Sequence, residues 1–190
     1  MFFLLKPDPE EIQRYLRSAL LRKDQPTYDL GLEHDIIPDG FDADHNRTLL
    51  GIDCFETARG QLRQWRPFDI GWVELCWPDA PLTVGTTVAP LISVFGLLWS
   101  LSPARIATVI DEERCFGFSY VTLPDHEECG EERFLVEWLP NGEVWYDVYA
   151  ISRPRHWLAR LGYPLSRLLQ KRFANNSMRA MREATYKRPR

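Results

Sequence analysis

The chain lacks the signatures that usually announce a chemistry. Its 190 residues hold no GxSxG, HExxH, phosphate-binding loop or dinucleotide fingerprint, so no motif argues for a hydrolase, metalloprotease, nucleotidase or dehydrogenase. Four cysteines occur, Cys54, Cys76, Cys115 and Cys129, with no CxxC pair and no Cys/His cluster. That spacing supports neither zinc nor a redox dithiol, and no cofactor or metal is expected. Long apolar runs are also missing. The longest, TTVAPLISVFGLLW, has 14 residues, short of the roughly 20 that a bilayer-spanning helix needs. The opening MFFLLK is too short for a signal-peptide core. The expectation from these absences is a soluble, cytoplasmic protein in a reducing compartment, with no transmembrane segment.

Apolar and aromatic residues are plentiful. At 45% hydrophobic and 13% aromatic, the chain can fill a core or line a cavity, and composition does not separate the two. Charge is unevenly placed. Residues 1–152 carry 12 Lys/Arg against 26 Asp/Glu, whereas residues 153–190 carry 11 against one. Either a basic C-terminal helix lies on an acidic body, or that helix offers a face to an anionic surface. No nucleic-acid motif accompanies it, so no nucleic-acid partner is expected.

Residues 8–22, DPEEIQRYLRSALLR, predict a helix capped by Asp8, with Pro9 at its first position and an apolar stripe of Ile12, Tyr15, Leu16 and Ala19. With the irregular stretch 23–44 it reads as an appendage, residues 1–41, to a main domain of residues 42–186. Residues 187–190 read as a disordered tail. In the main domain, DHNRTLLG suggests a short strand, and Phe55, Ala58, Leu62 and Trp65 share a helical face that ends at Pro67.

Six strand-like segments follow, linked mostly by short turns: IGWVELCW, TTVAPLISVFGLLW, ARIATVID, RCFGFSYVTL, EERFLVEWL and EVWYDVYAIS. The second is expected to be one long or bent strand with a break near Gly96. An antiparallel meander is the simplest topology. A helix from Pro154 to about Ala184 closes the domain, with a kink or break at Gly162-Tyr163-Pro164 and a stripe of Trp157, Leu158, Leu161, Leu165, Leu168 and Leu169 that Phe173 and Met181 extend. The fold class expected is α+β: a curved antiparallel sheet of six to seven strands wrapped around a long C-terminal helix.

Alternation assigns the faces of the last three strands. The even positions are the more apolar, so Phe116, Phe118, Tyr120, Phe134, Val136, Trp138, Tyr146 and Val148 should line the concave side. They suit the wall of a small-molecule pocket or a packed core equally well. Glu132 falls on the same face. A carboxyl there must be paired, hydrogen-bonded or neutral, and Tyr120, His126, Arg133 and a basic residue of the terminal helix are candidate partners. It is the candidate acid/base if the protein is an enzyme, and a structural anchor if it is not. The loop LPDHEECGEERF, with Asp125, His126, Glu127, Glu128 and Glu131, reads as a solvated acidic turn rather than a metal site.

The ordered segments FGFSYVTLPDHEECGEERFLVEW, VWYDVYAISRP, RLGYP, Gln170, RFA and Ser177, with WRPFDIGWVEL, VGTTV and ARIATVIDEE upstream, resemble the family called domain of unknown function nineteen-ninety. The resemblance covers about residues 42–184. One departure is Val121, where the family pattern has Gly before Thr-Leu-Pro. The resemblance implies no activity. It implies kinship with the START-like, birch-pollen-allergen-like helix-grip superfamily, whose members mostly enclose a cavity for apolar ligands.

Three functions therefore stand. One is binding of an apolar or amphipathic small molecule, with Tyr120, Glu132 and Tyr146 as polar anchors. Another is a cyclase- or hydratase-like enzyme using Glu132. The third is an interaction or anionic-surface protein acting through Arg155, Arg160, Arg167, Lys171, Arg172 and Arg179.

Overall fold

The structure is a computed structural model that describes residues 1–21, 24–28, 37–77, 79–155 and 162–186. Among the described residues, ten strands and three α-helices form two antiparallel sheets and their covers. The main sheet has six strands: β2 (Asp42–Ile52), β4 (Thr87–Val88), β7 (Ala104–Asp111), β8 (Cys115–Thr122), β9 (Glu128–Trp138) and β10 (Glu143–Pro154), in the order β2-β10-β9-β8-β7-β4. Bulges at Ile106/Thr108 and Val144/Trp145 interrupt its register and favour a curved sheet. This is the α+β helix-grip arrangement, with the C-terminal helix α3 (Tyr163–Tyr186) packed on the sheet.

The expected faces of the central strands are observed. The register sets Phe116 opposite Val136, Phe118 opposite Phe134 and Tyr120 opposite Glu132. It continues to Tyr146 opposite Val136 and Val148 opposite Phe134. Helix α2 (Phe55–Arg63) contributes Phe55, Ala58 and Leu62 to the same core. Its end is followed by a short 3-10 turn, Arg66–Phe68, which drives Trp65 and Phe68 onto the sheet. Trp65 meets Phe118 with ring centroids 4.9 Å apart, and Phe68 meets Phe134 at 5.3 Å. Buried rings in such tilted contacts hold an interior rigidly.

Three expectations need correction. First, the N-terminal strand is not short: β2 pairs with β10 from Asp42 to Ile52. Second, TTVAPLISVFGLLW is not one bent strand. It contains β4, then β5 (Pro90–Val94), and folds back into β6 (Leu98–Leu101). In the three-residue connection between Val94 and Leu98, Phe95 and Gly96 both adopt positive φ, 55° and 71°, and the Leu97 amide closes the turn by donating to the Val94 carbonyl at 3.2 Å. Third, the strands do not form a single meander. The segment IGWVELCW is strand only at β3 (Val73–Leu75), which joins β5, β6 and β1 (Phe2–Phe3) in a second, four-stranded sheet. Strands that are apolar on both faces need cover on both. Leu91 and Leu101 pack beneath Leu16 of α1 (Pro9–Leu21), while Ile92, Val94 and Leu98 face inward toward the main sheet.

Helix α1 is capped as expected: the Glu11 amide donates to the Asp8 carboxylate at 2.7 Å. Ile12, Tyr15 and Leu16 form its packed face, and Ala19 lies outside the described side chains. In α3 the buried residues are Ala174, Ser177 and Met181. Leu165 and Leu168 are 37% and 57% exposed, so the expected leucine stripe is not the core-facing one. Trp157, Leu158 and Leu161 lie outside the described residues, as does the tail 187–190.

Gly130 in β9 is a point of close approach. A Cβ there would stand 2.0 Å from the Ile151 carbonyl oxygen of β10. The Thr122 hydroxyl also bonds the Gly130 amide at 3.0 Å. Gly130→Ala is therefore expected to destabilise the fold by about 1–3 kcal/mol, the range for overpacking. Chemical denaturation measures it, and an unchanged midpoint would show that β9 and β10 can separate freely here.

Candidate functional site

A cavity of about 320 Å³ lies at one end of the main sheet. Three walls enclose it: the ends of β8, β9 and β10, the inner face of the second sheet, and the first half of α3. Its volume is at the lower end for small-molecule sites, roughly 300–1,000 Å³. Phe68, Trp72, Ile92, Val148, Leu165 and Phe173 make much of the surface apolar.

Local sequence explains why space opens here. On the inward face of β8, β9 and β10 the rows of bulky residues end at Tyr120, Glu132 and Ala150. The next row is Thr122, Gly130 and Ser152. Small side chains leave the helix held away from the sheet. Of the nine residues singled out in the sequence, Tyr120, Glu132 and Val148 border the cavity. Phe116, Phe118, Phe134, Val136 and Tyr146 fill the adjoining core. Trp138 stacks on Phe55 at the opposite end of β9, with ring centroids 6.0 Å apart. The Tyr146 hydroxyl meets Ser177 of α3 at 2.8 Å inside that core, away from the cavity lining.

The polar groups gather on the sheet wall. The Tyr120 hydroxyl donates to Glu132. Burial, reinforced by the charges of Glu128 and Asp44, raises the Glu132 carboxyl to about 7 against the opposing Tyr120 bond. Burial also raises Glu128 to about 7, with the Glu127 charge adding, although hydrogen bonds from Ser152 and Gln170 favour its ionised form. The Gln170 amide reaches both Glu128 oxygens at 2.7 Å. Glu127 moves the other way: burial pushes it up, but His126, the N-terminal amine and a Ser102 hydroxyl bond outweigh that and lower it. Burial pulls His126 down, and its Nδ1 accepts the Glu128 amide at 3.0 Å. Burial and the neighbouring Glu132 charge raise the Tyr120 phenol well above its ordinary value.

The segment at 125–131 is thus not a solvated acidic turn. His126, Glu127 and Glu128 turn inward and border the cavity. The signal was present: β9 begins at Glu128, so even parity carries Glu128 and Gly130 onto the face already assigned to Glu132. Trp72 and Ser100 were missed because the second sheet was not foreseen. The basic helix is partly neutralised. Arg167 grips Asp44 of β2 at 2.6 Å, Arg179 reaches Glu183 at 4.0 Å, and Arg172 lies over Trp72 at 4.6 Å. Arg155 donates to the Pro124 carbonyl, Lys171 borders the cavity, and Arg160 lies outside the described residues. No described helix is long and apolar enough to cross a membrane.

A raised carboxyl costs stability as it ionises. Between the ordinary value of 4.5 and about 7, the unfolded chain releases the Glu132 proton while the folded chain keeps it. Stability therefore falls as pH rises through that window. Glu132→Gln keeps an acceptor for Tyr120 and removes the charge. It is expected to match the wild type near pH 4 and to exceed it above about pH 7, by up to about 3 kcal/mol. Urea unfolding at both pH values tests this, and equal effects at both would show that the carboxyl carries no penalty.

The model of the family described as "Domain of unknown function (DUF1990)" matches residues 27–180. A UPF0548 protein of Dictyostelium discoideum is 35% identical, over 97% of this chain and 95% of its own length. A UPF0548 protein of Deinococcus radiodurans is 33% identical, over 95% and 97%. Two solved structures share the fold at low identity. Ara h 8.0201 is 12% identical with a TM-score of 0.51, over 78% of this chain and 100% of that one. The di-domain ARO/CYC BexL is 11% identical with a TM-score of 0.55, over 96% of this chain and 63% of that one. With the sequence match spanning most of the chain and the helix-grip fold behind it, the protein belongs to the DUF1990/UPF0548 family.

Proposed function

We propose that the protein binds an amphipathic small molecule in the cavity between the main sheet, the second sheet and α3. The observation that carries this is the division of the cavity surface. Apolar side chains come from every wall, while the ionisable groups Tyr120, Glu128 and Glu132 gather on the sheet with Gln170 of α3 above them, and the second sheet's side adds Ser100 and Trp72. A site with this division orients a ligand that has one polar end. Leu165 belongs to the same account: it is exposed on α3 yet borders the cavity, where an apolar ligand would cover it.

Protein purified from cells under native conditions is expected to carry a stoichiometric small-molecule adduct, seen by native mass spectrometry and released by organic solvent. Ala150→Trp would fill the cavity from β10. It should lose the adduct while keeping a native circular dichroism spectrum. An adduct retained in full by a folded Ala150→Trp variant would place binding elsewhere.

One observation favours a second reading, a cyclase- or hydratase-like enzyme. Glu132 reaches the cavity with a value of about 7, near that of an effective proton donor or acceptor, and is joined to Tyr120. If this holds, the extracted molecule incubated with wild-type protein is converted. Glu132→Gln should then bind it and convert it at least about 100-fold more slowly, the usual scale of a lost general acid or base. Identical recovery of the molecule from both proteins would leave binding alone.

A further inference from the structure

Two carboxyl groups of the cavity lack a cation. Glu128 and Glu132 flank Gly130 along the inward face of β9. Among the described residues neither forms an ion pair; their side-chain partners are neutral, the Gln170 amide and Ser152 hydroxyl for Glu128 and the Tyr120 hydroxyl for Glu132. The cations nearby are committed elsewhere. Arg167 of α3 closes on Asp44 of β2, although its charge still favours ionised Glu128 and that of Asp44 still raises Glu132. His126 is held toward its neutral form by burial, and Glu127 is engaged with Ser102 and His126. Lys171 is exposed at the rim. Among the described residues the sheet wall is therefore acidic, with no cation in direct contact with either carboxyl and Arg167, already paired with Asp44, acting on Glu128 from a distance.

The opposite wall is unsatisfied in a different way. Ser100 of β6 is 2% exposed and borders the cavity, yet its hydroxyl has no hydrogen-bond partner among the described residues. The indole N–H of Trp72 is likewise buried without an acceptor. Ser100 sits between Phe2 and Ile92 in the second sheet, and both also border the cavity. Buried polar groups left this way point to a missing partner.

We propose that the ligand is an amphipathic amine whose ammonium group sits over Gly130 between Glu128 and Glu132, with an apolar body that carries an oxygen toward Ser100 and Trp72. This rests on the cavity-binding function proposed above. An ammonium offers a carboxyl a charge-assisted hydrogen bond, the stronger kind, and attracts the second carboxyl along the strand. A fatty acid or phosphate ester would set like charges together in a site of low polarity. A neutral alcohol would avoid the repulsion and forgo the attraction. Burial raises both carboxyls to about 7, so a cation seated beside them draws off protons as it binds.

Isothermal titration calorimetry with decylamine, decanol and decanoate separates the alternatives. At pH 7, decylamine is expected to bind with unit stoichiometry, about tenfold or more tighter than decanol, with decanoate weakest. Repeating the titration in buffers of different ionisation enthalpy should show net proton release with decylamine and none with decanol. In the Glu128→Gln/Glu132→Gln double variant the amine preference and the proton release should both vanish while decanol still binds. That retained binding shows the cavity intact. Decanol or decanoate binding as tightly as the amine would overturn the amine assignment and leave the cavity function standing. An amine preference that survives the double variant would overturn the placement at Glu128 and Glu132. Binding of none of the three would overturn the assignment and the cavity function together.

Discussion

The hydrogen bond from Tyr120 to Glu132 marks the line where the main sheet stops being core. On one side of it, Phe116, Phe118, Phe134 and Val136 pack against α2, the Trp65–Phe68 turn and the far half of α3. On the other side the same three strands carry Thr122, Gly130 and Ser152 and face open space. A carboxyl on an inward face is tolerated only with a partner or without its charge. Tyr120 supplies the partner, and burial shifts the carboxyl toward its neutral form. One residue pair thus satisfies the core behind it and gives the cavity in front of it a titratable edge.

The second sheet makes the space a cavity rather than a groove. Its inner face supplies Ile92, Leu98 and Ser100, and its outer face packs on α1 through Leu91 and Leu101. The chain's first residues take part, because Phe2 pairs with Ser100 and borders the cavity. Helix α3 has two functions along its length. Its second half is anchored by Ala174, Ser177 and Met181. Its first half is held over the cavity by polar contacts, Arg167 to Asp44 and Gln170 to Glu128, with Leu165 beneath. Polar contacts of that kind yield more readily than buried rings, so the first half of α3 is the wall a ligand would displace.

Alternation made the central strands legible, since one face is apolar and the other polar from Cys115 to Ile151. It failed for residues 73–101, where both faces are apolar and the period-2 pattern vanishes. That segment supplies a layer of its own, and a strand with two apolar faces cannot be assigned to a sheet from its sequence. The site was half legible for a related reason. Parity put Glu132 and Tyr120 on the inner face, but it is blind to what covers them. Phe68, Trp65 and Phe173 come from other elements and occupy the middle of the sheet. They moved the open volume toward the strand ends, where Glu128 had looked like part of a surface loop.

The fold alone does not choose the ligand. Ara h 8.0201 and BexL share this architecture at 12% and 11% identity, and one scaffold carries many functions. In this chain several acidic side chains border the cavity. Arg167 pairs with Asp44 of the cavity wall, and its charge also favours the ionised form of Glu128. Glu128 and Glu132 then dominate the polar side, held by neutral donors that stabilise them without neutralising them. Such an arrangement is more than a core polar pair requires, because one carboxyl and one tyrosine would satisfy the sheet. Gly130 between the two is required by the close approach of β10, whereas the second carboxyl and the Ser100 hydroxyl, unpaired among the described residues, are the groups that the proposed amine would engage.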